Sequence, residues 1–185
     1  MKSGRIFIAM LAAAVFILLS AAAWAALPSF MWVEGETQGQ IEGSSDLQGR
    51  EGAIIVYAFG HSLKVPTDPH SGQSTGTREY SPFKILKAFD KASPKLYRAC
   101  ATGERLKKVT LKFYQISTQG TEEHYFTIEL EDAIIINISP SMPTTFLGQN
   151  AEYRHMETVS FTFRKITWIW VSDGTEFQDD WTFKQ

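Results

Sequence analysis

Length, composition and charge exclude several classes of protein. The chain has 185 residues, of which 44% are hydrophobic and 13% aromatic, so it can bury a core and is too apolar to be disordered. Its net charge of −2 argues against nucleic-acid binding, which needs a concentrated basic face. The single cysteine, Cys100, cannot form an intramolecular disulfide, so the fold must depend on packing alone.

The first 25 residues have the organisation of a signal peptide. Lys2 and Arg5 precede an unbroken apolar run over residues 6–19, and the small-x-small pattern of residues 23–25 is typical of a cleavage site. We expect cleavage between Ala25 and Ala26, which leaves one domain of residues 26–185. The alternative is an uncleaved membrane anchor, since residues 6–27 contain a single polar residue, Ser20, and about 20 apolar residues span a bilayer. The short core and the cleavage pattern favour the signal peptide.

Two apolar strands open the mature domain, at residues 30–33 and 53–59. The second is apolar on both alternate faces, whereas a strand with one buried face alternates with polar residues. We therefore expect cover on both sides of this strand, from its own chain or from a neighbouring subunit.

A long polar segment, rich in Pro, Gly, Ser and Thr, follows over residues 65–83. A loop of this length inside a compact domain is normally functional or disordered. If it is only a solvated loop, turn bonds from Asp68, Ser71 and Thr77 should close it locally.

One helix is predicted between Ser93 and Gly103. Ser93 suits the N-cap, Pro94 the first helical position and Gly103 the terminator. Three residues spaced i, i+3 and i+4 form one apolar stripe: Leu96, Ala99 and Cys100. Cys100 is thus predicted to be a core residue on a helix face.

The second half of the domain is dominated by strand patterns. Residues 109–113 and 126–130 alternate cleanly and predict an antiparallel hairpin with a five-residue loop at 117–121. Residues 133–138 continue as an apolar run, and a last long strand starts near residue 158 and becomes apolar on both faces over 166–171. Many strands and one helix predict a mainly β fold, an antiparallel β-barrel with one short helix alongside.

No constellation of residues predicts catalysis, a cofactor or a metal. The four histidines lie on different segments without helical zinc spacing, and we interpret each as a surface or loop residue: His61, His70, His124 and His155. Cys100 lies on a core stripe without a nucleophile motif. The adjacent acidic pairs at 122–123 and 179–180 point to opposite faces of a strand, so we interpret them as solvated charge.

Short motifs in a fixed order resemble the Hcp family, the tube protein of the bacterial type VI secretion system. They are residues 46–52, Pro66-Thr67-Asp68, Gly76-Thr77-Arg78, Pro82-Phe83, residues 93–97, residues 165–168, and Asp173-Gly174 ahead of Asp180-Trp181. Together they are spread over most of residues 26–185. Each motif is weak alone, but their order along one chain is specific.

The resemblance implies a function by assembly, without enzyme chemistry or cofactors. Members form hexameric rings that stack into a hollow tube, which is driven out of the cell with spike and sheath proteins and can carry effector proteins in its lumen. The polar segment corresponds to an extended loop that reaches an adjacent subunit, which makes Asp68, Thr77 and Arg78 candidates for intersubunit contacts. The strand carrying Tyr57, Ala58 and Phe59 corresponds to the lumen-lining strand; packing in the core or in an interface is an equally good interpretation of these three residues.

The leader departs from the family pattern, because such proteins are loaded from the cytoplasm. Three explanations are open: a start assigned too far upstream, a specialised copy with its own export route, or an inner-membrane anchor. Secretion is expected from the resemblance, and a periplasmic location from the leader. The alternative function is an exported monomeric β-barrel that binds a small ligand or a glycan, which oligomeric state would distinguish from a ring of six.

Overall fold

The computed structural model describes residues 27–150 and 154–181 of the chain. The leader, the expected cleavage site and the anchor alternative therefore lie outside the described residues. Within the described ranges, no helix has both the length and the apolar character needed to cross a membrane.

The described chain consists of eleven strands, one α-helix and one short 3-10 turn. In chain order they are β1 Ser29–Gly35, β2 Gly39–Ile41, β3 Ile54–Gly60, β4 Leu63–Lys64, β5 Glu79–Tyr80, β6 Phe83–Ala88, α1 Ser93–Thr102, β7 Arg105–Ile116, β8 Glu122–Ser141, the 3-10 turn Gly148–Asn150, β9 Met156–Thr162, β10 Lys165–Trp170 and β11 Thr175–Asp180. The predicted hairpin is confirmed: β7 and β8 are antiparallel, and residues 117–121 join them.

Six strands close an antiparallel barrel, which confirms the predicted architecture. Their order is β8, β7, β1, β3, β6 and β9, and β9 returns to β8. Two further strands extend the sheet beyond the barrel: β10 pairs with β8, and β11 pairs with β10. We call β10 and β11 the wing.

The long strand β8 serves both the barrel and the wing. Its second half pairs with β9 and its first half pairs with β10. The single last strand predicted from residue 158 was wrong, because Phe163 and Arg164 interrupt it. The Arg164 Nε donates to Asp132 Oδ2 at 2.6 Å, and Asp132 has a positive φ of 51° in the middle of β8. This polar contact stands where the two halves of β8 change partners.

Alternating apolar side chains fill the barrel. Val33, Val109 and Leu130 are successive register partners across three neighbouring barrel strands, and each is at most 1% exposed. Ile166, the partner of Leu130 on β10, continues this buried row into the wing. Burying an aliphatic side chain of this size contributes about 2 kcal/mol. The predicted in-out alternation of β7 and β8 is therefore what packs the barrel interior.

The helix α1 packs with this same core. Leu96 and Ala99 are fully buried, and Cys100 is half-buried against the core, as the stripe predicts. Gly103 ends the helix with a φ of 64°. The N-cap prediction was one residue late, since Ala92 is the cap and Ser93 is the first helical residue.

A buried ion pair lies where α1 meets the barrel. Lys87 near the end of β6 and Glu157 near the start of β9 are register partners with fully buried side chains, and Lys87 Nζ lies 2.7 Å from Glu157 Oε1. The Ser93 hydroxyl donates to the same carboxylate oxygen at 2.7 Å, and Lys87 Nζ donates to Ser93 Oγ at 3.0 Å. These bonds join the first turn of the helix to two strands.

Candidate functional site

The polar segment folds as a two-stranded arm, which we define as residues 63–80. Strands β4 and β5 pair at its base, with Leu63 opposite Tyr80 and Lys64 opposite Glu79. Lys64 Nζ and Glu79 Oε2 form an exposed ion pair at 2.9 Å. The arm is thus an ordered ribbon, and its side chains are mostly exposed.

The tip of the arm is closed by Asp68. Its Oδ1 accepts hydrogen bonds from the backbone N–H groups of His70 and Ser71, both at 2.8 Å. These bonds hold the pKa of Asp68 below its usual value. Thr77 is exposed on the returning side of the arm. Asp68 therefore builds the turn from within the chain, and contacts of Asp68 and Thr77 with a neighbouring subunit stay a prediction.

The root of the arm is pinned to the wing by Arg78. The Nε and Nη2 of Arg78 donate to the two carboxylate oxygens of Asp179 on β11, and Nη2 also donates to the backbone oxygen of Asp180 at 3.2 Å. This bidentate geometry is the strongest that an arginine offers a carboxylate. In the single chain, Arg78 thus has an internal partner.

Tyr80 reinforces the same contact. Its hydroxyl donates to Asp179 Oδ2. Burial, followed by the Asp179 carboxylate, raises the pKa of Tyr80 to about 12. Burial alone would raise the pKa of Asp179, but the hydrogen bonds from Arg78 and Tyr80 outweigh it, so this pKa lies below its usual value.

His61 completes the root from the opposite side of the arm. Its ring stacks on Tyr80 with centroids 5.6 Å apart and planes at 7°, and it also contacts Phe83 and Phe163 at 5.6 Å each. Both ring nitrogens are shielded from solvent and lack a well-formed hydrogen bond, and a weak interaction with the Ser81 backbone only partly offsets their burial. Burial lowers the pKa of His61. His61 does lie in the loop between β3 and β4, as predicted, but its ring packs on aromatic side chains instead of being solvated.

The acidic pair at 179–180 was also misinterpreted. Asp179 and Asp180 do point to opposite faces of β11, as expected, but each binds an arginine: Asp179 binds Arg78, and Asp180 binds Arg164. The sequence contains Arg78 about a hundred residues before its partner, and no local pattern joins the two. The available signal was the strand pattern over 175–180, since alternation in a strand turns one of the two carboxylates toward the protein, where it would need a cationic partner.

The predicted lumen strand divides into two surfaces. Tyr57 and Ala58 are exposed on β3, beside an irregularity in its pairing with β6. Phe59 is 44% exposed, but its ring packs on Phe83 at 5.6 Å and on Phe113 at 5.2 Å. Tyr57 and Ala58 are therefore available for contact outside the barrel, and Phe59 chiefly packs at its rim. A role of the three in lining a lumen stays a prediction.

Tyr57 also borders a small cleft of about 140 Å³ on the outside of the barrel. The cleft is lined by Ser44, Ile55, Phe89, Asp90 and Arg154 among others, and Arg154 Nη1 lies 3.5 Å from the Tyr57 hydroxyl. Over the described ranges, no group of three or more His, Cys, Asp and Glu side chains is placed to hold a metal ion. The exposed surfaces suited to protein contact include the arm, the wing and the exposed part of β3.

Comparison with known proteins agrees with this arrangement. A family described as "Type VI secretion system effector, Hcp" matches residues 30–170. A protein of Pseudomonas aeruginosa named "Major exported protein" is 44% identical over 165 residues, covering 84% of this chain and 96% of that protein.

Solved structures show the same fold over the same range. One titled "Crystal structure of Hcp protein" has 36% identity and a TM-score of 0.78, covering 84% of this chain and all of that one. The secreted protein Hcp3 from Pseudomonas aeruginosa has 37% identity and a TM-score of 0.69, covering 83% of this chain and 97% of that one. The chain belongs to the Hcp family of the type VI secretion system.

Proposed function

We propose that this chain is a structural subunit of the type VI secretion tube, in which six copies close into a ring and rings stack into a hollow tube. One observation carries the proposal: the chain presents two different surfaces that it does not cover itself, the arm and the free edge of the wing. Among the described strands, β11 pairs with β10 alone. Two unlike surfaces allow a head-to-tail contact, which closes into a ring by rotation.

The wing has the side chains that an interface buries. Trp170 is 42% exposed and Phe177 is 62% exposed, and Trp181, directly after β11, is 50% exposed. Phe177 stacks on Trp168 at 5.8 Å, so its ring is held in place before any partner arrives. Large, pre-positioned aromatic rings supply much of the free energy of protein association. The number six rests on membership of the family.

The arm is the proposed partner surface for the adjacent subunit, with Asp68 and Thr77 exposed or half-exposed along it. Arg78 is better described as the residue that positions the arm, because it binds Asp179 of its own chain. A double change, Asp68→Ala with Arg78→Ala, should weaken the rings. Lys64→Ala is the matched control, since it removes an exposed ion pair at the same arm. Rings and stacks of undiminished stability in the double variant would disprove this role.

We further propose that the ring lumen holds effector proteins against the exposed part of β3. Tyr57 and Ala58 offer an apolar outer surface there, and Phe59 supports it from the barrel rim. Ala58→Gln places a longer polar side chain on this surface without touching the core. If effector recovery in a pull-down is the same with Ala58→Gln as with the unchanged chain, β3 does not hold cargo. Spike and sheath proteins are the remaining proposed partners, through the ends and the outside of the tube.

Oligomeric state tests the tube proposal directly. Size-exclusion chromatography with light scattering, followed by negative-stain imaging, should give a hexamer-sized species with ring views. A monomer over a wide concentration range would contradict the tube role and favour an exported binding module. A ligand of such a module would have little room inside the barrel, because apolar side chains fill the barrel interior.

We also propose that the chain is exported, because its relative in Pseudomonas aeruginosa is named as an exported protein. The leader at residues 1–25 would add a second route, through the inner membrane. The mass of the chain recovered from the culture medium and from the periplasm separates the possibilities. A secreted chain that starts at Ala26 supports cleavage. Recovery of the full-length chain in the membrane fraction supports the anchor.

A further inference from the structure

The two ends of the arm meet in one cluster, which we call the clasp and define as His61, Arg78, Tyr80, Phe163 and Asp179. His61 lies two residues before β4, and Tyr80 is the last residue of β5, so the stack between their rings closes the base of the arm. Asp179 ties the same base to β11 through Arg78 and Tyr80. Any swing of the arm must therefore break the clasp.

We propose that the clasp is an acid-sensitive hinge, in which protonation of His61 releases the root of the arm from the barrel and the wing. The meaning of this release for a ring rests on the proposed function, since the arm is the surface offered to a neighbour. The release itself takes place within one chain and can be measured there.

The geometry around His61 accommodates a neutral imidazole and penalises a charged one. Its ring lies between the aromatic rings of Tyr80, Phe83 and Phe163, and both nitrogens are shielded from water. An imidazolium needs two acceptors for its two N–H groups. An unpaired charge in such a site is costly unless the structure opens.

The charged groups on the surrounding elements are already committed. On the arm, Glu79 holds Lys64; on the wing, Asp179 holds Arg78 and the Tyr80 hydroxyl. Beside Phe163, Arg164 holds Asp132 and Asp180. On β6, Lys84 next to Phe83 is exposed and would add only repulsion. A cation over the face of Tyr80 gains a modest attraction, which opposes release but supplies no hydrogen bond.

The pH window follows from the order in which the groups take up protons. Burial depresses the pKa of His61 in the closed clasp below its ordinary value of 6.5, so the released arm binds a proton first as the pH falls. Protonation therefore leaves the equilibrium constant for release nearly unchanged at pH 7.5. At pH 5.5, one unit below that ordinary value, it raises this equilibrium constant by up to about tenfold. Asp179 keeps its charge throughout, since its pKa lies below 3.8.

Distance measurement between two spin labels tests the hinge. The labels are attached at Ser71→Cys on the arm tip and at Thr118→Cys on the β7–β8 loop, both exposed, in a full chain carrying Cys100→Ser. The labelled chain is diluted with excess unlabelled chain, so that distances within one copy dominate. We expect a narrow distribution at pH 7.5, a broader one at pH 5.5, and restoration on return to pH 7.5.

His61→Phe is the matched control, because it keeps an aromatic ring in the stack and removes the proton site. Its distribution should stay narrow at both pH values. Broadening in His61→Phe equal to that of the unchanged chain, or no broadening in either, would overturn the proposal. Should His61→Phe fail to fold, His61→Gln takes its place and should likewise show no change between the two pH values.

A second measurement keeps the hinge separate from the tube. Carbon-13 NMR of histidine-labelled chain, with the His61 signal assigned by its loss in the variant, gives the pKa of His61 in the closed clasp. A value below 6.5 supports the hinge, and a value at or above 6.5 overturns it. Light scattering at pH 7.5 reports on ring formation independently, so a monomer with a working hinge would disprove the tube and leave the hinge standing.

Discussion

The buried pair of Lys87 and Glu157 leads to a quantitative prediction about stability. Lys87 Nζ lies 2.7 Å from Glu157 Oε1, 2.8 Å from Asp90 Oδ1 and 2.8 Å from the backbone oxygen of Ala88. Both members of the pair are fully buried. Lys87→Met removes the cation and keeps most of the volume, but it leaves a fully buried carboxylate without a cation, to which the Ser93 hydroxyl still donates a hydrogen bond.

Removing one partner of such a pair costs about 3–5 kcal/mol, because the remaining charge is buried without compensation. We expect Lys87→Met to lower the free energy of unfolding by about that amount. Replacing both residues, with Lys87→Met and Glu157→Met, removes both buried charges and should cost far less than Lys87→Met alone, since a well-packed apolar pair is often neutral in stability.

Urea unfolding followed by tryptophan fluorescence measures both variants. Chain concentration must be held fixed, because assembly stabilises the folded subunit by mass action. Lys64→Ala is the surface control and should change the free energy of unfolding by less than about 1 kcal/mol. The reasoning would be refuted by a double variant that loses as much unfolding free energy as Lys87→Met alone, since removal of the second buried charge would then have relieved nothing.

Two further predictions concern close backbone packing and the charge at the arm root. Gly43→Ala places a Cβ 2.3 Å from the backbone oxygen of Ala53, so it should strongly reduce the soluble yield and the free energy of unfolding. Gly60→Ala is the control, because its Cβ would meet no atom within 4 Å, and its unfolding free energy should stay within about 0.5 kcal/mol of that of the unchanged chain. Similar losses in the two glycine variants would contradict this account. Because the folded pKa of Asp179 lies below its ordinary 3.8, its contribution to stability is present above that value and is lost as pH falls through the folded pKa. The free energy of unfolding, measured at several pH values from 6 to 2, should therefore fall less steeply with pH in Asp179→Asn than in the unchanged chain. An equally steep fall in the two proteins would argue that Asp179 is not charged in the clasp.

Local patterns predicted most of the barrel. The alternation around Val109, Leu111 and Leu130 requires one buried face, and the Ser117–Thr121 turn makes the two strands antiparallel neighbours. Their register, which shifts between Phe113 and Tyr114, was not predicted. The helix was equally predictable, since its stripe and its terminating glycine lie within ten residues of each other. In such cases the neighbours that decide the structure are close along the chain.

The functional site was less predictable because its partners are far apart. Arg78 and Asp179 lie about a hundred residues from each other, and each looks like an ordinary solvated charge in its own segment. His61 follows a strand and precedes a polar segment, so nothing local indicates that aromatic rings from three other segments enclose it. The same holds for Lys87 and Glu157, whose burial is set by the closure of β6 on β9. Closure of the barrel creates the Lys87–Glu157 contact, and packing of the arm on the wing creates the Arg78–Asp179 contact; both depend on the fold of the whole chain.

The bond between Arg78 and Asp179 has a mechanical consequence. It closes a second circuit in the molecule, which runs from β3 through the arm to β11 and returns through β10, β8, β7 and β1. A force that a neighbour applies to the arm is therefore carried both into β3 and, through Arg78, into β11 at the edge of the wing. If subunits meet arm to wing, tension at one contact passes to the next around the ring, so the assembly would bear load as a continuous hoop.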